Sequence, residues 1–206
     1  MRIEALSDLV FGLALSLGSI VLVQNLPQTA SVLESDVVEF AFSFLIIVGV
    51  WLGYTRIVSV LPVETTGAVL LNLALLFCVA LEPFLYYVLY AAPSAFGDFS
   101  SAAYALNTGA MMGMIASMMY LVYRENKSSA LAKTHPLGLR GLKIATVTQG
   151  VSAAMFLASV SGLFWVEVPG LGHLRFLFWY AAMAVFFMSR AFTRRGPAPV
   201  TANNPP

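Results

Sequence analysis

Charge is scarce along this chain. Eleven Lys or Arg and ten Asp or Glu among 206 residues leave a net charge near +1, so nothing points to nucleic acid or to an acidic partner. A single cysteine, Cys78, lies inside an apolar run, which excludes an intrachain disulfide and reads as packing material. The two histidines, His135 and His173, are far apart and have no second ligand at metal spacing, so both are expected at the surface and no metal site is expected. There is no HExxH, no GxSxG, no Gly-rich phosphate loop and no cluster of His, Asp or Glu, so neither an enzyme nor a bound cofactor is expected. What the chain has instead is apolar surface. With 59% hydrophobic residues and a mean hydropathy of +0.83, it cannot hide that surface in a water-soluble fold of this size. The composition is that of an integral, all-α membrane protein.

About 20 apolar residues cross a bilayer as a helix. Six stretches have that character, at about 6–24, 37–61, 67–90, 101–123, 141–164 and 171–192. Turn formers separate them: Asn25-Leu26-Pro27, Pro62, Ala92-Pro93, Pro136 and Pro169-Gly170. The positive-inside rule orients the set. With the N-terminus in the cytoplasm, Arg2, Arg56, Arg124, Lys127, Lys133, Arg140, Lys143, Arg190, Arg194 and Arg195 share that side. Only Arg175 falls opposite, among Glu34, Asp36, Asp98 and Glu167. An even number of spans with both termini cytoplasmic follows, as one domain over 1–195 and a disordered, Pro/Asn/Ala-rich cytoplasmic tail over 196–206. The basic loop at about 124–140 reads as a linker resting on anionic headgroups. No repeat relates the two halves. The first span has the length of a signal-peptide core, but Asp8 precedes it and no small-x-small cleavage site follows closely.

The first stretch, MRIEALSDLVFGLALSLGSIVLVQ, is the most structured by pattern. At about 100° per residue, Leu13, Leu17, Ile20 and Gln24 fall on one face, with Gly12, Ser16 and Ser19 as a small-residue strip beside it. A span that only anchors to lipid has no need of that division, whereas one that lines something or packs closely does. Leu and Ile at helical spacing are also ordinary core. Polar residues inside the spans are costly in hydrocarbon and find partners. They are Ser7 and Asp8 in the first span, Ser43 and Trp51 in the second, and Asn72 and Glu82 in the third. Ser7, Asp8, Trp51 and Asn72 lie toward the same half and are expected to form one hydrogen-bonded cluster tying three spans together. Glu82-Pro83 sits in the outer half of the third span, with Glu82 facing protein or the outer interface. Gly49 and Gly53, and Gly109 and Gly113, have the small-xxx-small spacing of close helix packing.

Three motifs together carry a resemblance. Arg2-Ile3-Glu4-Ala5-Leu6-Ser7-Asp8 resembles the RxxxFSD signature of the transmembrane protein 175 family of potassium channels, with Leu6 in place of Phe. Ser43-Phe44 continuing to Trp51-Leu52-Gly53-Tyr54 resembles its SF…WxxH pattern, with Tyr54 in place of His, and Leu71-Asn72-Leu73 to Pro83-Phe84 resembles its LN…PF pattern. The matches run in order over roughly the first ninety residues; later spans match only in hydropathy. The resemblance implies a homotetramer of six-span subunits in a prokaryotic plasma membrane, with the first span of each subunit lining a central potassium pathway. It also implies a hydrophobic constriction in place of the TVGYG carbonyl filter, which this sequence lacks. Leu13 takes the position of the family's narrowest ring, Leu17 and Ile20 the next pore-facing positions, and Gln24 the pore mouth. Ser16 takes the position of a hydroxyl associated with potassium preference. Arg2, Ser7, Asp8, Trp51 and Asn72 form the structural polar network. The permeant ion is K+, and the partners are further copies of the chain and the bilayer. The alternative is a secondary transporter or proton-coupled carrier, with Asp8 or Glu82 as the titrating group.

Overall fold

Six helices in sequence, joined by short connections, make up a computed structural model that describes residues 2–24, 27–58, 66–91, 93–127, 138–170 and 172–193. They are α1 (Arg2–Gln24), α2 (Ala30–Val58), α3 (Thr66–Ala91), α4 (Pro93–Lys127), α5 (Gly138–Ala158) and α6 (Leu174–Thr193). The first five are long and apolar enough to cross a bilayer, and α6 is apolar over Leu174–Met188. The tail at 196–206 and His135 lie outside the described residues. In hydrocarbon each backbone amide must be bonded within its own segment, which is why continuous apolar runs of this length become helices. In the bundle α1 packs on α2 and α3, α3 on α4, α4 on α5, and α5 on α6, with α2 also reaching α4.

Three helices depart from the bounds that hydropathy suggests: the second span is expected at 37–61, but α2 runs Ala30–Val58. The fourth span is expected at 101–123, but α4 begins at Pro93 and is broken at Gly97, whose φ of 49° and ψ of −126° suit a residue without Cβ. The fifth is expected at 141–164, but α5 stops at Ala158. Beyond it come a 3₁₀ turn over Gly162–Trp165 and a two-residue antiparallel ribbon, β1 (Glu167–Val168) with β2 (Gly172–His173), in register Glu167 to His173. The reason is Arg175. Its guanidinium, fully buried at the start of α6, donates to the carbonyls of Ser159 (2.8 Å), Ser161 (3.2 Å) and Val160 (3.4 Å). These carbonyls lie just past the last residue of α5, and that of Ser161 also accepts from the Phe164 amide at 3.1 Å, so the cation holds the chain in the turn where the helix ends.

Arg175 also bonds the Asp98 carbonyl and the Ser101 hydroxyl and forms an ion pair with the half-exposed Asp98 carboxylate, tying the kink of α4 to the α5–α6 turn. One helical turn on, Trp179 packs among Phe42, Tyr104, Phe156 and Phe176 and donates its indole N–H to Ser159 Oγ at 2.8 Å. Small residues set the helix spacing. A Cβ on Gly109 would stand 2.8 Å from Leu157 Cγ, and one on Gly49 would stand 2.6 Å from the Phe186 ring. The small-xxx-small spacing in α2 and α4 therefore marks close contact at Gly49 and at Gly109.

Candidate functional site

Helix α1 is held on one side only. Phe11, Ala14 and Gly18 are buried toward α2 and α3, with the Phe11 ring 5.7 Å from that of Tyr54. The opposite face holds Leu13 (56% exposed), Leu17 (41%) and Ile20 (46%), and is bare in the single subunit. Leu6, Leu9, Leu13, Ser16, Ile20 and Val23, all exposed, alternate at spacings of three and four, the repeat by which helices associate along a seam. Ser16 and Ser19 lie on the same bare side. Their hydroxyls donate backwards, Ser16 to the Gly12 carbonyl (2.9 Å) and Ser19 to the Ser16 carbonyl (2.7 Å), which leaves the oxygen lone pairs outward.

At the N-terminal end of α1, Asp8 and Ser7, two of the polar residues expected to form one cluster, each have a partner on α2. Trp51 Nε1 donates to Asp8 Oδ1 at 3.1 Å on the exposed side of the α1–α2 contact. Ser7 Oγ and Tyr54 Oη meet at 2.6 Å in the buried interior. Asn72 is buried on α3, and its Oδ1 finds no hydrogen-bond partner. Neighbouring residues 7 and 8 are about 100° apart around the helix axis, so they address different partners. The side chains of Arg2 and Gln24 lie outside the described residues.

Glu82 faces protein. It is fully buried between α2, α3 and α4, where Ser43 Oγ (2.5 Å) and Tyr104 Oη (2.9 Å) both donate to Oε1 while Oε2 has no partner. Toward the acidic end of the bundle, a cavity of about 630 Å³ is lined by Asp36, Glu39, Tyr90, Ser100, Trp165 and His173. His173, expected at the surface, is half-buried instead. Its ring stacks on Trp165 with centroids 3.9 Å apart, and Trp165 also lies 5.2 Å from the Arg175 guanidinium. A long apolar body beside a turn is enough to shelter an imidazole that no sequence motif marks.

Tyr54, Tyr104 and Arg175 were not among the candidates, although the first two hold Ser7 and Glu82 and the third ends α5. Arg175 carried a signal, as the one cation on the acidic side and next to an apolar run. Tyr54 carried a weaker one, standing where the family has His. Nothing local distinguishes Tyr104.

This arrangement defines a multi-pass, all-helical membrane protein whose N-terminal helix shows a bare aliphatic face. Residues 2–83 match the family model described as endosomal/lysosomal potassium channel TMEM175, the family that the three motifs resemble; the first two motifs lie within the matched stretch, and the third lies within it up to Pro83. No curated protein and no solved structure matches the chain.

Proposed function

We propose that four copies of this chain form a potassium-selective channel, with α1 of each lining a central pathway and Leu13 forming its narrowest ring. The observation that carries this reading is the bare face of Leu13, Leu17 and Ile20 on a helix packed by its opposite side, within the segment that matches a potassium channel family. Four leucines meeting on an axis make a dry neck. An ion crossing it must shed water, and potassium holds its shell less tightly than sodium, so unequal dehydration costs select between them and dewetting closes the path. Tenfold discrimination needs only about 1.4 kcal/mol. Ser16, one turn further on, offers hydroxyl lone pairs that partly replace the lost water. Gln24 marks the mouth, and the Asp8–Trp51 and Ser7–Tyr54 pairs fix the rotation of α1 against α2 so that the stripe faces the axis.

The test is potassium flux from liposomes carrying the purified protein, with and without a sodium counter-gradient, followed by bi-ionic recording. Leu13→Ala widens the neck and weakens the preference, and each tenfold lost moves the reversal potential by about 59 mV. Ser16→Ala lowers selectivity with less effect on conductance. An unchanged reversal potential in Leu13→Ala overturns the reading. The carrier alternative draws support from Glu82, a fully buried carboxylate with one oxygen unpartnered. Saturable flux that follows a pH gradient and is lost in Glu82→Gln would favour it.

A further inference from the structure

We propose that the groove between α3, α4 and α5 is a binding site for one anionic phospholipid of the leaflet at the basic end of the bundle. The groove has a volume of about 510 Å³, within the usual range for a ligand site. Its walls are Ser117, Tyr120 and Leu121 of α4, Thr146 and Gly150 of α5, and Leu71 of α3. Gly150 leaves the groove open beside α5: a Cβ built there meets nothing within 4 Å. The hydroxyls of Ser117 and Thr146 are turned onto their own helices, donating to the Gly113 carbonyl (2.8 Å) and the Leu142 carbonyl (2.9 Å), so the walls present carbon to the groove. That surface suits an acyl chain.

Charge complementarity identifies the headgroup. On α4, Ser117, Tyr120 and Arg124 form one stripe, since residues three and four apart share a face. On α5, running the opposite way, Lys143, Thr146 and Gly150 form another. Each stripe starts in the groove and ends in an exposed cation, and both cations lie at the same end of the bundle. Arg124 is one turn beyond Tyr120, about 6 Å along the axis, and Lys143 is about 4.5 Å beyond Thr146. Arg140, also exposed, continues the α5 stripe by a further turn. An apolar slot in a membrane-facing wall, closed at one end by two or three cations from different helices, fits a phosphate with one negative charge and an acyl chain below it. This site is independent of whether α1 lines a pore.

The test is native mass spectrometry of the detergent-purified full chain titrated with dioleoyl phosphatidylglycerol or dioleoyl phosphatidylcholine. Phosphatidylglycerol should stay bound and phosphatidylcholine should not. Arg124→Gln with Lys143→Gln should weaken phosphatidylglycerol roughly thirtyfold, from the usual contribution of two cations near a headgroup. Gly150→Leu, which fills the groove, should abolish retention, and Arg56→Gln, a cation at the same end but off the groove, should retain it. Should Gly150→Leu not assemble, Ser117→Leu fills the slot from the exposed opposite wall and is expected to behave alike. Wild-type retention in the double or filling variant overturns the proposal. So does equal binding of the two lipids, or a loss in Arg56→Gln as large as in the double variant. A changed oligomeric state with lipid binding intact also overturns it, because the groove would then be a protein contact.

Discussion

Removing the Arg175 guanidinium separates two explanations for the acidic end of the bundle. Arg175→Met keeps the length and apolar stem but takes the guanidinium donor from the Ser159 and Val160 carbonyls and the Ser101 hydroxyl, whereas the Ser161 carbonyl keeps the Phe164 amide and the Asp98 carbonyl keeps the Ser101 hydroxyl. Hydrogen bonds to a charged group contribute about 1.5–3 kcal/mol each taken singly. They are not additive, and a buried acceptor left without its donor costs about 1–3 kcal/mol, so a loss of about 3 kcal/mol is expected here. The ion pair with Asp98 adds little to that figure. The Asp98 side chain is 43% exposed, and exposed pairs contribute about 0–1 kcal/mol. Asp98→Asn, which keeps the backbone carbonyl that Arg175 binds, is therefore expected to cost less than about 1 kcal/mol. Denaturant unfolding of both variants in one detergent, followed by helical circular dichroism and Trp fluorescence, gives the comparison. If Arg175→Met is as mild as Asp98→Asn, the guanidinium does not hold the end of α5. If Asp98→Asn is as costly as Arg175→Met, the charge pair and not the carbonyl capping carries the stability.

Two further outcomes follow from the packing. Ser7→Ala and Tyr54→Phe should each destabilise the subunit by about 1 kcal/mol, and the double variant by clearly less than the sum, because the buried bond between them is one interaction; additive costs in a double-mutant cycle would rule the bond out. Gly109→Ala should cost about 1–3 kcal/mol, since its Cβ would lie 2.8 Å from Leu157 Cγ and 3.2 Å from the Leu157 amide nitrogen. Gly150→Ala, in open space, should be neutral or up to about 1 kcal/mol stabilising. Equal unfolding midpoints for these two variants would show that Gly109 does not set the α4–α5 distance.

Hydropathy alone determined that this is a helical membrane protein, because an apolar run in lipid has no low-energy alternative to satisfying its amides internally. The periodicity of the first stretch determined which residues share a face of α1, since a rotation of 100° per residue is a property of the helix and not of its surroundings. The motifs between Arg2 and Phe84 pointed to the family that residues 2–83 match. Tertiary structure decided the rest. It decided that the Leu13 face and not the Phe11 face is bare, that Ser7 meets Tyr54 while Asn72 Oδ1 stands alone, and that Glu82 bonds Ser43 and Tyr104 from two other helices. It also decided that Arg175 turns inward and stops α5 at Ala158. Each of these depends on how one helix is rotated and shifted against another, and that register is set by contacts between residues dozens of positions apart, which local periodicity does not encode.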